Sequence, residues 1–146
     1  MKKLFILALI AIATGTTAFA GPSTTKAVTH FANTFSAAKN VSWNSNGRFQ
    51  KVTFQLNNET ISAFYDEDGD LLGTSKKVSF DKLPKAALET ITSQYTFPEY
   101  QVLECIEFSS DKTETKYYTS FRTEDSTVVL EIMKNGRVSV FSETEK

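Results

Sequence analysis

Thr60-Ile61-Ser62-Ala63-Phe64-Tyr65-Asp66-Glu67-Asp68-Gly69-Asp70-Leu71 reads as a strand, a tight turn and the start of a returning strand. Sixty-seven residues further on, Thr127-Val128-Val129-Leu130-Glu131-Ile132-Met133-Lys134-Asn135-Gly136-Arg137-Val138 repeats that design position by position. Ile61, Ala63 and Tyr65 alternate with their neighbours, as one buried face of a strand requires, and they coincide with Val128, Leu130 and Ile132. Gly69 and Gly136 align in the turns, where Asp-Gly and Asn-Gly pairs supply the positive φ of a tight hairpin. Phe54 and Phe121 keep the same offset of 67. The match predicts that one unit was built twice.

Outward from this stretch the period changes. Val28, Phe31, Ala32, Phe35 and Ala38 recur at three- and four-residue spacing, which predicts an amphipathic helix over 25–38 capped by Ser23 or Thr24. Alternation then takes over in Val41 and Trp43, in Val52, Phe54 and Leu56, in Ile61 to Tyr65, and from Leu71 onward. The breaks at 44–47, 57–58 and 66–69 are rich in Asn, Asp and Gly. A second helix, capped by Asp81 or a neighbour with Pro84 in its first turn, presents Leu83, Ala87, Leu88, Ile91 and Tyr95. It ends at Phe97-Pro98. Four more alternating segments follow, at 100–108, 115–123, 127–133 and 137–141. Helix plus four strands thus occurs twice, at about 23–78 and 79–146.

Met1–Ala20 has the marks of an export signal. Lys2 and Lys3 precede an apolar run from Leu4 to Ala13, and Ala18-Phe19-Ala20 offers small residues at the cleavage positions, so cleavage is expected before Gly21. The run is half the length of about 20 residues that a membrane span needs. Removal would leave 126 of the 146 residues as a single domain and change 16 basic against 17 acidic residues into 14 against 17, a formal charge of −3. A mildly acidic chain lacks the clustered basic footprint of a nucleic-acid binder. One Cys and one His leave almost nothing for zinc sites, Cys-His pairs, Ser-His-Asp triads or disulfide frameworks, and no cofactor is expected. Cys105, inside an apolar strand pattern, is expected to be buried, free or paired between chains. His30 lies in a predicted helix with nothing to mark it as a base.

Three short patterns occur in a fixed order: Asn40-Val41-Ser42-Trp43 after the first helix, the hairpin Tyr65-Asp66-Glu67-Asp68-Gly69-Asp70-Leu71-Leu72, and the helix start Leu83-Pro84-Lys85-Ala86-Ala87. In this the chain resembles, over about Lys26 to Glu143, the secreted PepSY-like, or β-lactamase-inhibitor-like (BLIP-like), family frequent in Bacteroidetes. The resemblance implies an α+β fold of tandem helix-plus-four-strand repeats, a curved antiparallel sheet with helices on one face, and a non-enzymatic binding or inhibitory role outside the cytoplasmic membrane. No binding motif of the inhibitor is present to carry over.

A sheet covered by helices on one side should alternate apolar-in and polar-out. The inward set is Val52, Phe54, Leu56, Ile61, Ala63, Tyr65, Tyr117, Phe121, Val128, Leu130, Ile132, Val138 and Val140. The other face is mostly polar, with Lys51, Thr53, Gln55, Ser62, Ser120, Arg122, Glu131 and Ser139. Phe64, Tyr118, Val129, Met133 and Phe141 nevertheless fall on that side. Aromatics, Met and Arg on a polar face are the composition of a recognition surface, so Phe64, Tyr118, Arg122, Met133 and Phe141 are the candidate residues for a protein or peptide ligand. Trp43 is expected to anchor the core.

Two further readings stand beside this one. An envelope protein could self-associate through Cys105 or an exposed edge strand. Asp66, Asp68 and Asp70 are weak candidates for Ca²⁺, because Gly is fourth and Lys77 is twelfth where an EF-hand loop needs Gly sixth and Glu twelfth. Glu104, Glu107 and Glu131 could pair for acid-base hydrolysis only if held in a cleft with one pKa raised. Solvated carboxylates on a wet face do not do this, and no catalytic residue is assigned.

Overall fold

The computed structural model describes residues 23–45 and 49–145; the predicted export signal and part of the 44–47 turn lie outside them. The fold is α+β; the described residues form two α-helices and eight antiparallel strands whose order follows the chain. The described residues fall into two compact units that meet in sequence at Lys76/Lys77.

The first unit holds helix α1 (Thr25–Thr34) and strands β1 (Lys39–Ser45), β2 (Phe49–Leu56), β3 (Glu59–Asp66) and β4 (Leu71–Lys77, its last residue in the second unit). Of the two cap candidates, Thr24 is the one used, its hydroxyl accepting from Ala27 N at 3.3 Å. Asn57 and Asn58 take φ of 51° and 64° between the paired Leu56 and Glu59, a two-residue hairpin of type I′ as their side chains favour. The core is Ala27, Phe31, Val52, Phe54, Ala63 and Tyr65, with Trp43, Phe35 and Leu71 packed around it. Phe31 meets Trp43 and Phe54 edge-on at 5.5 and 5.0 Å, so Trp43 is a core side chain.

Phe31, Phe35 and Ala38 of the expected apolar face pack in this core, and the other two members do not. Val28 is 42% exposed and Ala32 is exposed, whereas Ala27 is fully buried. Gly69 packs against this turn of the helix. It sits in the β3–β4 turn at φ +82°, so close to α1 that a Cβ there would stand 2.6 Å from Thr24 Oγ1 and 3.0 Å from Ala27 N. Buried Gln50 completes the joint. Its carbonyl accepts from Thr24 N at 2.6 Å, and its amide donates to Thr24 Oγ1 at 3.2 Å and to Asp66 O at 2.9 Å. A buried amide is stable only when satisfied in this way.

The second unit holds a 3₁₀ turn (Phe80–Lys82), helix α2 (Lys85–Gln94) and strands β5 (Gln101–Ser110), β6 (Thr113–Arg122), β7 (Ser126–Met133) and β8 (Val138–Glu145). Asp81 lies in the 3₁₀ turn and Pro84, not Asp81, occupies the N-cap. Leu83, Ala87 and Ile91 pack on Cys105, Phe121, Val128, Leu130 and Ile132, all buried. Phe121 is the hub, stacked on Tyr95 at 5.5 Å with Phe80 and Tyr100 edge-on. Gly136, at φ +88° in the β7–β8 turn, closes on α2: a Cβ there would lie 2.7 Å from Ala86 Cβ and 3.2 Å from Ala87 N.

Val140, expected inward, is 57% exposed. A bulge shifts the pairing between Val129 and Leu130, so that Val129 faces Ser142 while Leu130 faces Val140. Val140 therefore shares the side of buried Leu130, as expected, but stands exposed on β8, the last strand in the order, and the extra residue comes after it.

Candidate functional site: the sheet face opposite α2

Register fixes which side chains share the second face of β5–β7. Ile106 stands across from Tyr118, Tyr118 from Glu131, Ser120 from Val129, and Phe108 from Lys116. None of Ile106, Phe108, Tyr118 and Val129 belongs to the core onto which α2 packs.

At the centre, the Tyr118 hydroxyl donates to Glu131 Oε2 at 2.8 Å, and Lys116 Nζ reaches the same oxygen at 2.9 Å. The Tyr118 ring meets Phe141 edge-on at 5.5 Å. Burial together with the adjoining carboxylate pushes the Tyr118 phenol well above its ordinary range, so it remains a donor at neutral pH. Burial alone would raise Glu131, but the hydrogen bonds from Lys116 and Tyr118 outweigh it and the carboxyl titrates below its ordinary value. A carboxylate held ionised in this way is a poor general acid.

The depressed Glu131 pKa fixes a pH dependence. A carboxyl with a lower pKa folded than unfolded stabilises the fold above the unfolded value, about 4.3, and loses that contribution as pH falls through the folded value. Glu131→Gln should therefore be less stable than the parent at pH 7, with the gap narrower at pH 3. Tyr118→Phe, which removes one donor, should move the acid limb upward. Urea unfolding at the two pH values measures both, and a gap independent of pH would refute the assignment.

Of the five residues expected at a recognition surface, Arg122 is exposed and Met133 and Phe141 are half-buried. Phe64 and Tyr118 are not surface residues, at 2% and 1% exposed. Tyr118 is held down by Glu131 and Phe141. Phe64, in the first unit, stands across from Gly73 with the Lys51 ammonium 5.9 Å from its ring centre. Missed in the sequence were Ile106 and Phe108, which alternation places beside Tyr118, and the exposed apolar residues Phe97, Val102 and Leu103.

The carboxylates considered for catalysis do not converge. Glu104 pairs with Lys77 at 2.6 Å, and Glu107 stands opposite Tyr117 in a register shared with the α2 side. In the acidic hairpin, Asp66 Oδ1 accepts from Asp70 N at 2.8 Å, while Asp70 pairs with Lys26 at 2.7 Å. Among the described residues, no three His, Cys, Asp or Glu side chains are grouped to hold a metal ion. His30 Nδ1 lies 3.1 Å from the Tyr65 hydroxyl, whose pKa burial pushes up to about 12.

Cys105 is 5% exposed with its Sγ 3.1 Å from Thr119 Oγ1, and burial raises its pKa. A thiol so placed cannot reach a second chain, which removes it as a route to self-association. In the native protein it should react with a thiol reagent at least about a hundredfold more slowly than in urea, since access waits on opening. Equal rates would place it at the surface.

No family model and no curated protein matches the chain. Its fold is nonetheless that of several solved structures. A DUF2874 family protein from Bacteroides uniformis aligns with a TM-score of 0.70 at 9% identity, covering 85% of this chain and 90% of that one. A BLIP-like protein from Bacteroides fragilis aligns at 0.66 and 15% identity, covering 87% and 89%. A DUF2874 family protein from Bacteroides ovatus aligns at 0.67 and 16%, covering 90% and 89%. The α+β fold with an antiparallel sheet, expected from the resemblance, is therefore the fold observed.

Proposed function

We propose, with this shared BLIP-like fold as the premise, that the chain is an exported, non-enzymatic binding module which holds a protein or peptide on the sheet face opposite its helix. The observation that carries the reading is the accessible part of the β5–β8 face: half-buried Met133 and Phe141 beside exposed Arg122 and the Lys116–Glu131 ion pair. An apolar centre with a polar rim is the anatomy of a protein interface. Export is supported by the leader-like Met1–Ala20, and no described helix is long and apolar enough to cross a membrane. The named variants are Arg122→Glu and Met133→Glu, because these residues can change without emptying the core. Together they should weaken capture of a partner from the cell envelope at least tenfold while leaving the unfolding midpoint unchanged. Undiminished capture would refute the reading.

The two units as copies of one ancestral unit are part of the same proposal. Support comes from Gly69 and Gly136, 67 residues apart, each at positive φ in a hairpin and each closing on the first turn of its unit's helix beside a fully buried alanine, Ala27 or Ala87. Self-association is a second reading, favoured by Val140 on β8, which ends the strand order. A monomer mass at every concentration on size-exclusion chromatography would remove it.

A further inference from the structure

β8 is the last strand in the order, so among the described residues no strand lies along its far edge. The turn that starts it sets which backbone groups face outward. Met133 N donates to Arg137 O at 2.9 Å, which makes these two a hydrogen-bonded pair. Alternation along an antiparallel ladder then turns the N–H and C=O of Val138 and Val140, opposite Ile132 and Leu130, away from β7. The same two valines share the α2 side of the sheet, where Val138 packs on the core and Val140 is 57% exposed. Native edge strands are guarded by a bulge or a charge where they could pair with another chain. β1, which begins the order, has both, in Lys39 and a register shift between Lys39 and Ser42. Val138-Ser139-Val140 has neither: it is uncharged and regularly paired. The two ends of β8 are opposite in charge, with Lys134 and Arg137 at its start and Glu143 and Glu145 at its finish. A second β8 laid alongside in parallel would set like charges together, whereas an antiparallel one sets unlike charges together.

We infer that two copies of this chain pair through β8, antiparallel, about a two-fold axis at Ser139. In this register Val138 of each copy meets Val140 of the other, so that all the outward N–H and C=O groups of the four valines are used in backbone hydrogen bonds. On the α2 side the same four side chains form one apolar strip, which takes Val140 out of water. On the opposite side Arg137 of each copy stands across from half-buried Phe141 of the other, a guanidinium beside a ring. The basic turn of each copy lies toward the acidic end of its mate. The inference rests on the self-association reading above and adds to it the occupant of the edge, a second copy, and the register; it needs nothing of the sheet-face reading.

The test uses the exported chain purified from its own cell envelope. In sedimentation equilibrium the parent should be a dimer, and Val140→Lys should raise the dimer dissociation constant at least tenfold with an unchanged circular dichroism spectrum, since Val140 stands exposed in the single chain. Independently, Ser139 and its symmetry mate form a non-hydrogen-bonded pair with Cα atoms about 4.5 Å apart, within disulfide reach. Ser139→Cys treated with diamide should therefore give a disulfide-linked dimer, while Ser93→Cys on the exposed side of α2 and the parent, whose Cys105 is buried, should not. A dimer that Val140→Lys leaves intact, or no disulfide-linked dimer from Ser139→Cys, overturns the β8 pairing while self-association itself stands. A disulfide-linked adduct with a different protein overturns the second copy as occupant. A parent that is monomeric at every concentration removes self-association and the inference together.

Discussion

Gly136→Ala is expected to lower stability by about 2–4 kcal/mol, as urea unfolding at pH 7 would show. Two costs combine. At φ +88° an alanine is strained by about 1–2 kcal/mol relative to glycine. Its methyl would also stand 2.7 Å from Ala86 Cβ, an atom fixed to the helix that cannot rotate aside. The hairpin or α2 must then move, and the contacts of fully buried Ala87 move with it. Gly69→Ala meets the same strain, but its nearest obstacle at 2.6 Å is the Thr24 hydroxyl, which can swing away by giving up its cap on α1. The loss there should be smaller, since a lost cap costs about 1 kcal/mol. A Gly136→Ala protein within about 0.5 kcal/mol of the parent would show that the hairpin does not close on the helix as described.

Phe121→Ala is expected to cost about 3–5 kcal/mol, as deletion of a large buried ring does when its neighbours cannot collapse into the space. Phe121 is 1% exposed and touches Tyr95, Tyr100 and Phe80, whose rings are fixed by α2, the 3₁₀ turn and the start of β5. Phe141→Ala, on a half-buried ring at the bulge of β8, should cost under about 1.5 kcal/mol. Thermal and urea unfolding of the two variants give the comparison. Similar losses would mean that the sheet has no preferred buried face.

The strands were legible because a period of two survives in any strand with one buried side. Val52, Phe54, Ala63, Tyr65, Phe121, Val128, Leu130 and Ile132 were all expected inward and all are buried. The turns were legible for a related reason: Asn57, Asn58, Gly69 and Gly136 are the residue types that tolerate positive φ, and each has it. Three things escaped. On α1, Phe31, Phe35 and Ala38 were placed correctly, but Val28 and Ala32 are exposed and Ala27, beside the Gly69 turn, is buried, a tertiary contact that hydrophobic periodicity does not contain. Val140 shares the face of buried Leu130, as alternation required, but is exposed because β8 is the last strand in the order, which alternation does not reveal. The burial of Phe64 and Tyr118 was missed because alternation assigns a residue to a face without saying what lies on that face.

The candidate site was legible by half. Tyr118, Phe141, Met133 and Arg122 were named from composition, and Glu131 and Val129 were placed on the same side. That Glu131 is held ionised by Tyr118 and Lys116 depends on cross-strand register, which is set by loop lengths and bulges rather than by the strands themselves.

Photo-crosslinking tests the binding face most directly. A benzophenone amino acid would be placed singly at Arg122, Met133 and Ser139 on the sheet side, and at Glu89 and Ser93 on the exposed side of α2, in the exported chain illuminated in its own cell envelope. The sheet-face reading predicts one partner band shared by the three sheet positions and absent from the two helix positions. A band from the helix positions alone, or none from the sheet, would contradict it.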